Sequence, residues 1–361
     1  MIDIEPFRIS VSDDVLADLR ERLRRTRFTT ASDATYWAAG VDPGYLRELV
    51  GYWADGFDWR AAETWLNSFP HFKAGGVHFV HLRGDRAGGL PLILTHGWPS
   101  SFVEMLRVAP LLTDEFDVVI PSLPGFLFSD LPAGVFTRRG VAETWHTLMT
   151  RTLGYERFGA FGGDIGGGVT QWLGALYPDE VAGVHVTSAV IPDVPDPTAE
   201  EQAYLDHLAA YDVRDQGYSE IMWSRPDTLA AALNDSPAGL VAWIADKYRD
   251  WSDCGGDLER SWDKDTLLTI ATLYWATGTI GSSFRQYYDY PNNRPVPPIL
   301  APGAVTLSNE PAFTGYPRSL AERLFADLRH YRVPGRGGHF MAHEEPAQVS
   351  EELHRFFASL R

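Results

Sequence analysis

The chain has 361 residues, 45% hydrophobic and 22% charged, which leaves ample apolar surface for a core and excludes disordered, collagen-like and coiled-coil classes for its bulk. Lys+Arg of 31 against Asp+Glu of 48 gives a net charge of −17, which disfavours a nucleic-acid backbone or an anionic membrane as partner. The single cysteine, Cys254, excludes an intramolecular disulfide and a cysteine-rich zinc site and fits a reducing compartment. The N-terminus lacks a signal-length apolar core, and no stretch of about 18 uncharged apolar residues occurs, so a soluble, cytoplasmic protein is expected. At roughly 150 residues per domain, the length suits one large or two modest domains.

Residues 11–27 place Val15, Leu16, Leu19 and Leu23 on one helical face, and the chain to about residue 70 is rich in Trp and Phe; 1–70 reads as an N-terminal extension packed on a larger body. From about 71 the texture becomes β-α-β-α. Val77–Leu82, Pro91–Leu94, Val118–Ile120, Phe158–Phe161, 181–190, Ala304–Leu307 and Leu328–Val333 read as strands buried on both faces of a parallel sheet. Helical periods fall near 101–112, 138–153 and 167–177. Two proline-rich junctions, at 192–200 and 290–299, bracket a Trp/Tyr-rich helical stretch. The expected division is a core of 71–191 and 291–361, interrupted by a helical insertion over 192–290.

The segment Phe158–Gly168 runs from a strand through glycine-flanked Asp164 into a helix, the small-x-nucleophile-x-small form of a strand–turn–helix elbow. No G-x-S-x-G occurs, so a serine hydrolase lacks its nucleophile; a glycine-rich turn with a capping Asp is the plainer alternative. His96-Gly97-Trp98-Pro99 follows a strand where an α/β-hydrolase places one oxyanion donor, so the backbone N–H groups of Trp98 and Ile165 are the candidate pair. Glu310 and then His339 complete an order of nucleophile, acid and histidine that matches hydrolase-fold triads. His339 and His343 stand four apart beside Glu344, but H-E-x-x-H is absent and no third ligand is evident, so no metal and no cofactor is expected.

A carboxylate nucleophile attacks saturated carbon and becomes an ester, so the substrate needs an electrophilic sp3 carbon with a leaving group: an epoxide or an alkyl halide. Tyrosine suits protonation of an opening epoxide, and the insertion supplies eight candidates, among which composition does not choose.

HGWPSSF, GGDIGG, ALNDSPAGL (231–240), YWATGTIGSSFRQYY (274–288) and GGHFMAHEEP together resemble the epoxide hydrolases of the microsomal and juvenile-hormone type, over nearly the whole chain. The resemblance implies an α/β-hydrolase core with a helical cap, and a nucleophile at Asp164, an acid at Glu310 and a base at His339. It also implies ring-opening tyrosines at Tyr218 and Tyr287, with Tyr288 as the neighbour to distinguish. Microsomal members carry a hydrophobic N-terminal anchor, whereas this chain begins at the extension, so it resembles the soluble bacterial members, some of which act in natural-product pathways. The expected function is hydrolysis of an epoxide, lipophilic or aromatic, to a vicinal diol, with Trp223 and Trp243 lining an apolar pocket. The oligomeric state is left open, a homo-oligomer included. The rivals are a dehalogenase with the same nucleophile, against which Ile165 and Trp98 argue, and a non-catalytic ligand-binding protein on the hydrolase fold.

Overall fold

The computed structural model describes residues 3–29, 36–86, 88–188 and 191–360. Among these, nine strands form one sheet: β1 Glu5–Phe7, β2 His71–Ala74, β3 Val77–Leu82, β4 Leu90–Thr95, β5 Phe116–Pro121, β6 Phe158–Gly162, β7 Val181–Val186, β8 Gly303–Thr306 and β9 Leu328–Arg332. Their spatial order is β1-β2-β3-β5-β4-β6-β7-β8-β9. From β5 to β9 every neighbouring pair is parallel, while β1, β2 and β3 add an antiparallel margin. The central strands are continuously apolar because helices cover both faces; Leu92, Ile93 and Leu94 of β4 are fully buried.

Three expectations shift. The period over 101–112 forms two 3-10 turns, Phe102–Leu106 and Ala109–Leu111, rather than an α-helix. Pro110 supplies no N–H to an α ladder, and the Ser101 hydroxyl accepts from Val103 N–H to close a short turn. The helix expected over 138–153 is α only for Arg138–Thr147 and widens into a π turn over Leu148–Thr152. The strand expected over 181–190 ends at Val186; residues 189–190 lie outside those described.

The helix Asp13–Arg24 begins at Ser12, whose hydroxyl accepts the Val15 N–H, and buries Leu16, Leu19 and Leu23, with Val15 half-buried. At about 2 kcal/mol for each buried leucine, that face holds a 12-residue helix that would be marginal alone. It packs on helix Pro43–Asp55, and both pack on helix Pro237–Trp251 of the insertion. The Trp53 indole N–H donates to Thr272 Oγ1 at 3.0 Å, so the extension braces the helices over the site as well as the margin of the sheet.

Between β7 and β8 the described chain is helical: Ala199–Asp215, Gly217–Ser224, Pro226–Asp235, Pro237–Trp251 and Lys264–Thr277, then short turns Ile280–Ser283 and Arg285–Tyr288. Among the described residues no helix is long and apolar enough to cross a membrane.

Candidate active site

The parallel strands deliver four loops to their C-terminal edge, where open α/β sheets place their ligands. They are His96–Trp98 after β4, the elbow after β6, Ser308–Glu310 after β8 and the His339 loop after β9. Asp164 opens helix Asp164–Leu176 with φ of +50°, a left-handed conformation that costs a non-glycine residue about 1–3 kcal/mol. The surroundings hold it there. Its N–H donates to Ser188 Oγ at 2.5 Å, and its Oδ1 accepts the Trp98 N–H at 2.9 Å. Two glycines permit this close packing. A Cβ on Gly166 would lie 2.0 Å from the Thr95 carbonyl oxygen, and one on Gly97 would lie 2.3 Å from Asp164 Oδ1.

Trp98 N–H, an expected oxyanion donor, is thus seated on the Asp164 carboxylate, while Ile165, the other expected donor, sits in the first helical turn, where backbone N–H groups have no intrahelical acceptor. His96 organises this loop. Because Leu123 N–H donates to its Nε2 at 3.1 Å, Nδ1 carries the proton and donates to the Gly97 carbonyl at 3.0 Å. Burial pulls its pKa down to about 4, so it stays neutral and turns Gly97 in the direction that presents the Trp98 amide.

His339 Nδ1 pairs with Glu310 Oε2 at 2.8 Å, and Glu310 Oε1 accepts the Ser308 hydroxyl at 2.9 Å. Burial pulls the imidazole pKa down but is outweighed by Glu310, then Asp164 and Glu104, which together lift it to about 9. His343 points elsewhere: it stacks on Trp262 at 3.7 Å and meets Arg107, and burial drives its pKa to about 3.

Tyr218 and Tyr287 converge on the elbow. The Tyr218 ring stacks on Trp98 at 5.5 Å, and Tyr287 meets Trp98 at 5.7 Å and Tyr218 at 6.0 Å, both edge to face. Both phenols are pushed far above the ordinary tyrosine value, first by burial and then by neighbours that include Asp164. Tyr288 instead is 52% exposed. A cavity of about 180 Å³ opens here, lined by Asp164, Tyr211, Asp215, Tyr218, Trp251 and His339 among others.

Trp223 and Trp243 are not among the residues lining that cavity. Trp223 is 47% exposed on helix Gly217–Ser224, and Trp243 packs half-buried against the core from helix Pro237–Trp251. Trp251 occupies the place expected of them, with its ring 5.1 Å from Tyr218 and 5.0 Å from His339. Eight residues of the same helix, a little over two turns, separate it from Trp243, a phase that aromatic composition alone does not resolve.

Two carboxylates take roles that the sequence did not assign them. Glu344 accepts backbone N–H groups from Asp253 at 2.7 Å, Gly338 at 3.2 Å and Phe340 at 3.1 Å, clasping both neighbours of His339. The His339 N–H itself donates to the Trp251 carbonyl at 2.8 Å. Glu104, on the first 3-10 turn, is buried and electrostatically coupled to both His339 and Asp164; burial lifts its pKa to about 7. The sequence weighed Glu344 only as a neighbour of the His339/His343 pair, and nothing local marked Glu104.

A family model described as the epoxide hydrolase N terminus matches residues 4–105, and one described as the alpha/beta hydrolase fold matches 91–217. A Stigmatella aurantiaca protein classed with the epoxide hydrolases is 39% identical, the match covering 99% of this chain and 86% of that one. Epoxide hydrolase 1 of Sus scrofa is 32% identical across 99% of this chain and 89% of its own. The crystal structure of juvenile hormone epoxide hydrolase from Bombyx mori superposes with a TM-score of 0.89 at 28% identity, covering 100% of this chain and 95% of that one. With an aspartate at the elbow, paired tyrosines above it and these relatives along its full length, the chain belongs to the epoxide hydrolase family of the α/β-hydrolase fold.

Proposed function

We propose that this enzyme converts an epoxide to a vicinal diol through a covalent ester on Asp164, and the single observation that carries the reading is the Trp98 amide seated on Asp164 Oδ1. That contact leaves Oδ2 as the attacking oxygen and keeps Oδ1 where charge develops when the ester is later hydrolysed. As Oδ2 bonds a ring carbon, the C–O bond breaks onto the epoxide oxygen, which takes a proton from Tyr218 or Tyr287 and leaves a phenolate.

Esterification neutralises Asp164 and so removes one of the charges that raise the His339 pKa. The imidazolium then yields its proton to the phenolate, and neutral His339, oriented by Glu310, takes a proton from water. The resulting hydroxide attacks the ester carbonyl, releasing the diol and restoring the Asp164 carboxylate and the imidazolium. The balance is one epoxide and one water for one diol.

The rings of Trp98, Trp251 and Phe284 about the elbow favour a lipophilic or aromatic epoxide. The same reading treats the chain as a soluble cytoplasmic enzyme with an extension over 1–70, a core over 71–191 and 291–361 and a cap over 192–290. Single-turnover hydrolysis in heavy-oxygen water tests the mechanism. With enzyme in excess, the first diol takes its new oxygen from the unlabelled Asp164 carboxylate; heavy oxygen in that first diol means that water attacked the epoxide directly.

A further inference from the structure

The chain uses lysine sparingly, three times among 31 basic residues, and one of the three, Lys247, is buried beside the ring-opening tyrosine. Its ammonium lies 5.0 Å from the Tyr218 ring centroid and 5.5 Å from that of Trp251. Asp215 Oδ1 accepts from Lys247 Nζ at 2.9 Å, and Asp215 Oδ2 accepts the Trp251 indole N–H at 2.9 Å. A second carboxylate, Asp246, stands 3.4 Å from the ammonium. The Lys247–Asp215 ion pair thus joins helices Ala199–Asp215 and Pro237–Trp251 beside the rings of Tyr218 and Trp251. Nothing in the triad chemistry uses it.

We propose that Lys247 is a positioning residue for epoxide opening, holding the Tyr218 ring and stabilising the negative charge that the phenol acquires as its proton passes to the epoxide oxygen. The need for such a group follows from the site itself. Burial, Asp164 and Asp215 all make Tyr218 a reluctant acid, and the Lys247 ammonium is the cation seated at its ring, 5.0 Å from the centroid. The ammonium survives burial because Asp215 and Asp246 outweigh the desolvation that would discharge it. Cation–π attraction strengthens at a desolvated site and strengthens further as the ring gains electron density, so the contact stabilises the transition state more than the resting enzyme. It acts on ester formation only, because Tyr218 is again a neutral phenol when water attacks the ester.

The inference rests on the Asp164-ester reading, and the experiment separates the two. Wild type, K247M and K247R are mixed in excess with styrene oxide, ester formation is followed by the quench of tryptophan fluorescence, and the decay of the ester is followed in the same trace. K247M is expected to form the ester about 10- to 30-fold more slowly, equivalent to about 1.4–2 kcal/mol, with ester hydrolysis unchanged within about twofold. K247R, which keeps the charge, recovers part of the loss. Ester formation by K247M at the wild-type rate overturns the proposal, and so does an equal slowing of both steps, which marks a purely structural role. If K247M does not fold, K247Q is read in the same way. Failure of wild type to form any ester instead removes the underlying mechanism.

Discussion

The Trp98 amide donates to Asp164 Oδ1 at 2.9 Å, so in the proposed mechanism one carboxylate oxygen is held by that amide before substrate arrives and the other is left to react. Asp164→Ala removes the group that forms the ester. Diol formation is expected to fall by about 10⁴-fold or more in protein that unfolds at the wild-type midpoint. Residual turnover near the wild-type rate would remove Asp164 from the chemistry.

His339→Gln keeps a neutral polar side chain but no base. The ester should form and persist, giving intact protein heavier by one substrate in the mass spectrum. Steady hydrolysis with no adduct contradicts the assigned role.

Tyr218→Phe and Tyr287→Phe each remove one donor from the pair over the elbow. Each is expected to slow ester formation about 100-fold, and the double variant to leave almost none. Tyr288→Phe, at a residue that is 52% exposed, should match wild type in the same fluorescence assay. A slow Tyr288→Phe beside a normal Tyr287→Phe would shift the assignment by one residue.

Glu344→Ala orphans N–H groups on both sides of His339 and on Asp253. Each buried unsatisfied donor costs about 1–3 kcal/mol, and a displaced imidazole slows ester hydrolysis more than ester formation. The expected signature is a lower urea midpoint together with accumulation of the ester. Equal slowing of both steps would show that Glu344 supports the fold without registering the base.

Stability should fall as pH rises across two windows. Burial raises Glu104 from 4.5 to about 7, so the folded protein keeps a proton that the unfolded chain releases, and stability declines between those values. His339 is raised from 6.5 to about 9, so its contribution is complete below 6.5 and is lost as pH climbs through 9. Glu104→Gln should flatten the lower window, worth about 3 kcal/mol at most, in urea unfolding at pH 5 and pH 8. Parallel curves for the variant and wild type would place the Glu104 carboxyl in water.

The strands of the parallel sheet, the elbow and the order Asp164, Glu310, His339 were legible in the chain because each depends on local pattern: apolar runs, flanking glycines and loops at strand ends. β1 and β2 were not legible. They are short, and the pairing of β1 with β2 and of β2 with β3, rather than their own propensity, makes them strands. The choice of Trp251 over Trp223 and Trp243 turned on helical phase and on how the insertion seats against the His339 loop. Glu104 and Lys247 acquire their roles only from neighbours far along the chain, since burial and field are sums over every group that tertiary packing brings near. Local chemistry therefore marked the candidate nucleophile, acid and base, whereas the electrostatic setting around them belongs to the folded molecule alone.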